Sequence, residues 1–289
     1  MTRIPRHSIV IPAYNESERL GPTLDRVLAF VRQQVQKAEI VVVNDGSTDQ
    51  TADIVRNYAE QSGGIIRLLE NSENRGKGYS VRNGVLHSAG DIVLFTDADL
   101  SAPIEEADKL IDALNRGADI AIGSRWARSE LQTQRQSLAR QVLGRIFNGL
   151  LRVLLGLEFK DTQCGFKAFR RAAAKTLFPL QRIEGWGFDP EILFLAKKSG
   201  FKVAEVPVVW GHDTRTRIKP FKDGWRMVAE MLRIRWYSLT GKYSAGRAPS
   251  LPASMAAIEP GDSEEQRRAG AQIGTRSRSG LKPALFHQD

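Results

Sequence analysis

The chain has 289 residues, 42% of them hydrophobic, and a formal net charge of +9. That length supports one large or two small domains with a sizeable core. No apolar run reaches the roughly 18 to 20 residues of a spanning helix, no charged start followed by an apolar stretch marks a signal peptide, and the lone Cys164 excludes an internal disulfide and fits a reducing, cytosolic setting.

Ser8 to Pro12 reads as a first apolar strand, followed by a polar loop. Ser17 to Gln34 carries Leu20, Leu24, Val27, Leu28 and Val31 at helical spacing. Glu39 to Asn44 is a second strand. The turn Asp45 to Asp49 follows, with Ser47 or Thr48 placed to cap a helix ending near Gln61. Ile65 to Glu70 is a third strand, Lys77 to Ser88 a helix and Ile92 to Phe95 a fourth strand. Pro103 opens a helix to Asn115, and Ile120 to Ser124 is a fifth strand. Strands alternating with helices predict a mostly parallel sheet in a three-layer α/β/α sandwich.

The second half reads differently. Gln136 to Leu157 is a long helical stretch with a broad apolar face that includes Leu138, Val142, Ile146, Leu150 and Leu154. Phe166 to Phe169 is a short strand, Phe188 to Ser199 a helix and Lys202 to Val209 a strand. Phe221 to Leu239 is a basic helix rich in aromatic residues. From Ser244 onward Ala, Gly, Ser, Pro and charge dominate without periodicity, and residues 244–289 read as a disordered tail after a single domain over 1–243.

The positive charge is concentrated. Arg125 to Arg152 holds six arginines against one acidic residue, and Gly211 to Lys242 holds eight basic residues against three acidic ones. Such patches suit a polyanion: nucleic acid, an anionic membrane or a phosphorylated substrate. The alternative reading is two solvated helix faces. A nucleic-acid role lacks a zinc pattern, an RNP-like motif and a helix-turn-helix signal, and no nucleic acid is expected. A membrane scaffold alone leaves the next feature unexplained.

Three polar motifs each follow a strand. Pro12-Ala13-Tyr14-Asn15-Glu16 follows the first, Asn44-Asp45-Gly46-Ser47 the second and Asp97-Ala98-Asp99 the fourth. In a parallel sheet all three lie at one edge, where open α/β sheets bind ligands. Asp97 and Asp99 suit a hard cation, Mg2+ or Mn2+, shared with substrate phosphates. Glu16 suits ribose hydroxyls and Asp45 the imide N–H of uracil, although Asp45 reads also as a turn and cap residue. Together the motifs point to a metal-assisted nucleotide site.

With Asn74-Arg-Gly-Lys77-Gly78, Gly123-Ser-Arg125, Asp161-Thr-Gln-Cys-Gly-Phe-Lys167 and Glu205-Val-Pro-Val-Val-Trp210, the chain resembles family 2 glycosyltransferases of the GT-A fold over roughly residues 6 to 243. Within them it resembles the dolichyl-phosphate β-glucosyltransferase branch, next to the dolichyl-phosphate mannosyltransferases. The resemblance implies inverting transfer of a hexose, glucose from UDP-glucose foremost, to a polyprenyl phosphate at the cytoplasmic face of a membrane. A GDP-mannose enzyme or a polysaccharide-building transferase is the alternative.

The resemblance also implies roles. Pro12, Ala13, Tyr14, Glu16, Asp45, Lys77, Asp97, Ala98 and Asp99 would bind the nucleotide sugar; the loop holding Lys77 reads otherwise as an ordinary loop before a helix. Arg217 would face the diphosphate, in a Thr-Arg pair where relatives often have Ser-Lys. Arg125 would bind the acceptor phosphate, with Arg140 a second candidate. Asp99, Arg125 and Asp189 would be the catalytic set, Asp189 standing where base-using relatives carry an acid. A phosphate monoester is already anionic at neutral pH, so no base is required, and two anionic substrates call for arginine forks. Gln163 and Lys167 lie either at the active-site edge or in a packing turn. His212 is either structural or a metal or diphosphate ligand. Cys164 is a small buried residue. The helices 136–157 and 221–239 have the composition of interfacial helices that attach the enzyme peripherally, or they pack on the sheet.

Overall fold

The computed structural model describes residues 6–34, 37–125, 149, 151–211 and 220–243. Chain order runs β1 (His7–Ala13), α1 (Leu20–Gln33), β2 (Ala38–Asn44), α2 (Thr51–Gln61), β3 (Ile66–Glu70), α3 (Lys77–Leu86), β4 (Ile92–Thr96), α4 (Ala107–Asn115) and β5 (Ile120–Ser124). It continues with β6 (Phe166–Arg170), α5 (Arg171–Leu177), α6 (Phe188–Lys198), β7 (Val203–Pro207) and α7 (Pro220–Leu239).

Seven strands form one sheet in the order β3-β2-β1-β4-β6-β5-β7. β6 runs antiparallel to both its neighbours, and the other pairs are parallel. The strands are apolar on both faces because both faces are covered. Ile9, Ile11, Ile40 and Val42 point into one core with Leu20, Leu24 and Val27 of α1, Val55 of α2 and Leu110 of α4. Val10, Val41, Val43 and Phe95 point into the other with Val81 of α3, Ala173 of α5, Leu193 of α6 and Met231 and Ile234 of α7. The expected three-layer α/β/α sandwich is what forms.

Two details of this sheet create the site. Pairing between β1 and β4 runs only from His7↔Ile92 to Val10↔Phe95, whereas β1 follows β2 up to Ala13↔Asn44. β1 and β4 therefore stop pairing short of the C-terminal edge, at the point where the strand order reverses and open α/β sheets bind their ligands. The antiparallel entry of β6 delivers residues 161–165 to that same edge.

Some local expectations change. α1 begins at Leu20, not Ser17, because the Glu16 carbonyl accepts the N–H groups of Arg19 and Leu20 in a preceding turn. Neither Ser47 nor Thr48 caps α2. The Ser47 hydroxyl accepts the Asn15 N–H at 2.9 Å, the Thr48 N–H donates to Asn15 Oδ1 at 2.9 Å, and Asp49 accepts from Thr51 N at 3.0 Å as the helix starts. A 3-10 turn, Ile104–Glu106, precedes α4. α5 has no counterpart in the sequence reading. Of the stretch 136–157, residues 151–155 are helical, and Leu151, Leu155 and Leu157 are buried in the core with Leu154 packed against it. The buried side of that end covers the sheet, while Val153 is exposed on the other side. The remainder of the stretch, up to 148, and the tail 244–289 lie outside the described residues.

Candidate active site

The loop after β1 is held by the loop after β2. Asn15 adopts φ 52°, a left-handed conformation for a non-glycine residue. Its side chain and those of Ser47, Asp49 and Thr51 zip the two loops together: Glu16 N donates to Thr51 Oγ1 at 2.8 Å and Ser17 N to Asp49 Oδ2 at 3.1 Å. Ala13 is buried, Pro12 half-buried and Tyr14 exposed at the rim. Glu16 is gripped by Arg19 through both carboxylate oxygens, so a ribose contact would have to share it.

Asp45 is buried, 3% exposed. Its Oδ1 accepts from Asn71 Nδ2 at 2.6 Å and Arg75 N at 3.1 Å, and its Oδ2 accepts from Gly76 N at 2.8 Å. A carboxylate offers about four acceptor positions, and three are used to fold the loop 71–76 over the β2 end. Gly76 is obligatory there: its φ is +104°, and a Cβ would stand 2.7 Å from the Glu184 carbonyl oxygen. The loop ends in Lys77, the first residue of α3.

Lys77 Nζ lies 2.5 Å from Asp97 Oδ1 and 5.2 Å from the ring centre of Trp186. Burial pulls its pKa down, but the charges of Asp97, Asp189 and Asp99 outweigh burial and raise it. Asp99 is pushed above the usual carboxylate range, first by burial and then by the Asp97 charge. Asp99 Oδ1 accepts Ser101 N at 2.9 Å, and Leu100 between them has φ 45°. Ala98 is buried, its carbonyl accepting from the Thr23 hydroxyl at 2.6 Å. The β4–β6 register pairs Thr96 with Phe166, which sets Asp97 opposite Gly165. A Cβ on Gly165 would stand 2.1 Å from Asp97 Oδ2, so only glycine leaves the carboxylate its place.

The other half of the edge is built from ion pairs. Arg125, just past β5, binds Asp161 through Nε at 2.7 Å and Nη2 at 2.8 Å, and its backbone N–H donates to the same carboxylate at 3.0 Å. Its guanidinium lies 5.0 Å from the Trp210 ring centre. Asp161 is fully buried. Burial pushes its pKa up, but Arg125 overrides this and holds it low. Glu205 on β7 accepts the N–H groups of Lys160 and Asp161 at 3.0 and 2.8 Å. Arg125, Asp161 and Glu205 thus tie three of the sequence motifs into one unit.

Lys167 on β6 is fully buried, and its Nζ donates to Asp189 Oδ1 and to the Cys164 carbonyl, both at 2.5 Å. Asp189, in the first turn of α6, is therefore the counter-charge of a buried lysine. These contacts are those of the packing-turn reading of Lys167. Gln163 is half-buried, with Nε2 3.6 Å from Met227 Sδ of α7. Cys164 is buried with its thiol pushed up to about 12 by burial, which fits a packing residue and not a nucleophile. Arg140, His212 and Arg217 lie outside the described residues.

The structure thus brings Asp45, Lys77, Asp97, Asp99, Arg125, Lys167 and Asp189 to one sheet edge. Sequence reasoning quoted Asp161 and Glu205 within motifs but gave them no role. It gave no role either to Arg75 or to Trp186, the residue that opens the segment around Asp189, and it missed the pairing of Arg75 with Glu184 at 2.6 Å. Asp161 leaves one signal, a lone acid opening the segment that leads into an apolar strand; the others leave none.

A sheet of this order, with a carboxylate pair at its C-terminal edge, defines a GT-A glycosyltransferase. The family model described as Glycosyl transferase family 2 matches residues 8–178. The chain belongs to that family and is a hexosyltransferase. It is 38% identical over 258 residues to a dolichyl-phosphate beta-glucosyltransferase of Trichomonas vaginalis (strain ATCC PRA-98 / G3), covering 86% of this chain and 76% of that protein. The Homo sapiens dolichyl-phosphate beta-glucosyltransferase is 33% identical over 248 residues, with 82% and 76% covered. Among solved structures, mannosyl-3-phosphoglycerate synthase from Rubrobacter xylanophilus superposes with a TM-score of 0.60 at 20% identity, covering 86% and 79%. Glucosyl-3-phosphoglycerate synthase from Mycobacterium tuberculosis, in complex with Mn2+, UDP and glucosyl-3-phosphoglycerate, gives 0.54 at 20% identity, covering 84% and 82%.

Proposed function

We propose that the chain transfers glucose from UDP-glucose to a polyprenyl phosphate with inversion at the anomeric carbon. The observation that carries this reading is the split edge: a crowded carboxylate pair with Lys77 on one side, and an arginine fork fixed by Asp161 on the other. One side suits a diphosphate leaving group and the other a phosphate nucleophile. The relatives named above, similar over most of this chain, support dolichyl phosphate as the acceptor class.

The residues fit a divalent cation, Mg2+ or Mn2+. Asp99 is raised first by burial and then by the Asp97 charge, both of which a cation would offset, and Gly165 keeps side-chain bulk away from Asp97. Among the described residues no cluster of three His, Cys, Asp or Glu ligands forms, so substrate phosphates complete the set, as is usual for Mg2+. When bound, the cation neutralises charge developing on the leaving diphosphate.

On this reading the loop 71–76, folded by Asp45, reads the uracil base, and Lys77 brings positive charge to the diphosphate. Arg125 aligns the acceptor phosphate, with Arg140 its second candidate and Arg217 the further donor contact. Because that phosphate is already anionic, no residue has to remove a proton, consistent with Asp189 being held by Lys167.

The acceptor is a membrane lipid, and among the described residues no helix is long and apolar enough to cross a membrane. We assign peripheral attachment, at the cytoplasmic face, to α7. Leu232, Trp236 and Leu239 are 54%, 61% and 76% exposed along one stripe, and Arg233, Arg235 and Lys242 are exposed beside it. Apolar residues rimmed by cations suit an anionic bilayer surface.

The test offers UDP-glucose and GDP-mannose with a short polyprenyl phosphate and Mn2+, and identifies the lipid product by mass. Glucosyl lipid is expected with UDP-glucose and nothing in excess chelator. A mannosyl lipid would replace the donor assignment, and full activity in chelator would remove the cation. Sedimentation with anionic liposomes at low and high salt checks attachment.

A further inference from the structure

α7 has an inner face as well as its exposed stripe. Met231 and Ile234 are buried in the core, and Glu230 is buried beside them at 6% exposure. A buried carboxylate is costly unless it is hydrogen-bonded, and an apolar side chain would serve packing better. Glu230 Oε2 accepts the Gly187 N–H at 2.8 Å, and Oε1 lies 3.6 Å from Nε of the exposed Arg226. The loop is shaped to this carboxylate. A Cβ on Gly185 would stand 2.6 Å from Oε1, and one on Gly187 2.6 Å from Oε2.

Between those glycines stands Trp186, 5.2 Å from Lys77 Nζ. Just before them, Glu184 pairs with Arg75 at 2.6 Å, and its carbonyl accepts the Tyr79 N–H at 3.2 Å. One short loop therefore touches Arg75, Lys77 and the start of α3, the groups that carry positive charge on the nucleotide side of the sheet edge.

We infer that Glu230 is a positioning residue for the donor. It clamps the Gly185–Gly187 turn onto α7 and through Trp186 and Glu184 fixes where Lys77 and Arg75 stand. This rests on the reading of Lys77 as a donor-diphosphate contact and adds the element that sets it. Glu230 touches neither substrate, so its effect falls on donor affinity and spares acceptor affinity.

Steady-state kinetics and UDP calorimetry on the full chain test this with Glu230→Ala, Glu230→Gln, Trp186→Ala and Lys77→Ala. Losing a hydrogen bond to a charged group predicts that Glu230→Ala raises the KM for UDP-glucose about tenfold. Its kcat stays within about threefold, and its KM for polyprenyl phosphate does not move. Glu230→Gln keeps an oxygen for the Gly187 N–H and recovers most of the donor affinity. Trp186→Ala, at an exposed residue, reproduces the donor-KM rise and carries the test should Glu230→Ala fail to fold. A fall in kcat at unchanged donor KM, or a Trp186→Ala variant with wild-type donor KM, overturns the inference. Lys77→Ala separates the two levels. If it keeps full UDP affinity, the donor reading itself fails; if it weakens UDP while Glu230→Ala does not, only the role of Glu230 fails.

Discussion

At the β1–β2–β4 half of the sheet edge Lys77 pairs with Asp97, but most carboxylates are held by main-chain N–H groups: Asp45 by Arg75 and Gly76, Asp49 by Ser17 and Thr51, Asp99 by Ser101. At the β5–β6–β7 half, charge is held by charge. Asp161 carries Arg125 and Asp189 carries Lys167. The first arrangement shapes loops and leaves a side chain's removal mostly local. The second buries one partner completely, so deleting the other strands an uncompensated charge. Ligand binding and stability should therefore separate on the nucleotide side and move together on the acceptor side.

The largest expected effect tests the first half. Asp99→Asn should lower transfer by roughly a thousandfold or more, the scale of charge stabilisation a metal site supplies. Its melting temperature should hold or rise, because an amide removes the repulsion with Asp97. A matching loss of melting temperature would break the distinction between the halves.

Arg125→Ala tests the second. Transfer should fall about a hundredfold or more, and stability should drop by about 3 to 5 kcal/mol because the Asp161 carboxylate is left buried and unpaired. Adding Asp161→Asn should restore much of the denaturation midpoint without restoring transfer. Arg125→Lys should regain only part of the activity, since a point charge lacks the planar fork. If the double variant regained transfer, Arg125 would be structural alone and Arg140 would lead as acceptor ligand.

Asp45→Ala sharpens the picture on the nucleotide side. With the acceptor for Asn71, Arg75 and Gly76 gone, the loop 71–76 should loosen and UDP affinity should fall about tenfold by calorimetry. Unchanged affinity for UDP, or equal affinity for UDP and GDP, would remove this loop from the nucleotide site.

The smallest effect concerns a carboxylate away from both halves. Glu191 is buried and accepts from the backbone N–H groups of Arg182 and Ile183 and from the Tyr243 hydroxyl, yet burial dominates and raises it from 4.5 to about 7. The folded state then binds a proton that the unfolded state has released. Stability falls as pH rises from about 4.5 through 7. The melting temperature should decline by several degrees across that window, and Glu191→Gln should flatten the slope even if it lowers the curve.

The legible part of the site was the part built from consecutive residues. Asp97-Ala98-Asp99 follows its strand directly, and so do Asp45 and the Tyr14 loop. The illegible part was built by distant partners. Nothing near Arg125 announces Asp161, 36 positions on, and nothing near Lys77 announces Trp186. The wrong cap at Ser47 and Thr48 has the same origin: both groups are taken by Asn15, 32 and 33 positions away, where only the fold makes them neighbours. The apolar face over 151–157 was ambiguous because periodicity reports an apolar stripe without saying whether protein or lipid covers it.

By itself the sequence determined the alternating strands and helices, the edge at which the motifs gather and the glycosyltransferase family, because local apolar patterning and short turn motifs act over a few residues. Tertiary structure alone decided the antiparallel insertion of β6, the pairing of Arg125 with Asp161 and Lys167 with Asp189, and the hold of Glu230 on the Gly185–Gly187 turn. Those depend on which distant charges share a low-dielectric space. Burial makes such pairs decisive, and burial is a property of the packed chain and not of any segment read alone.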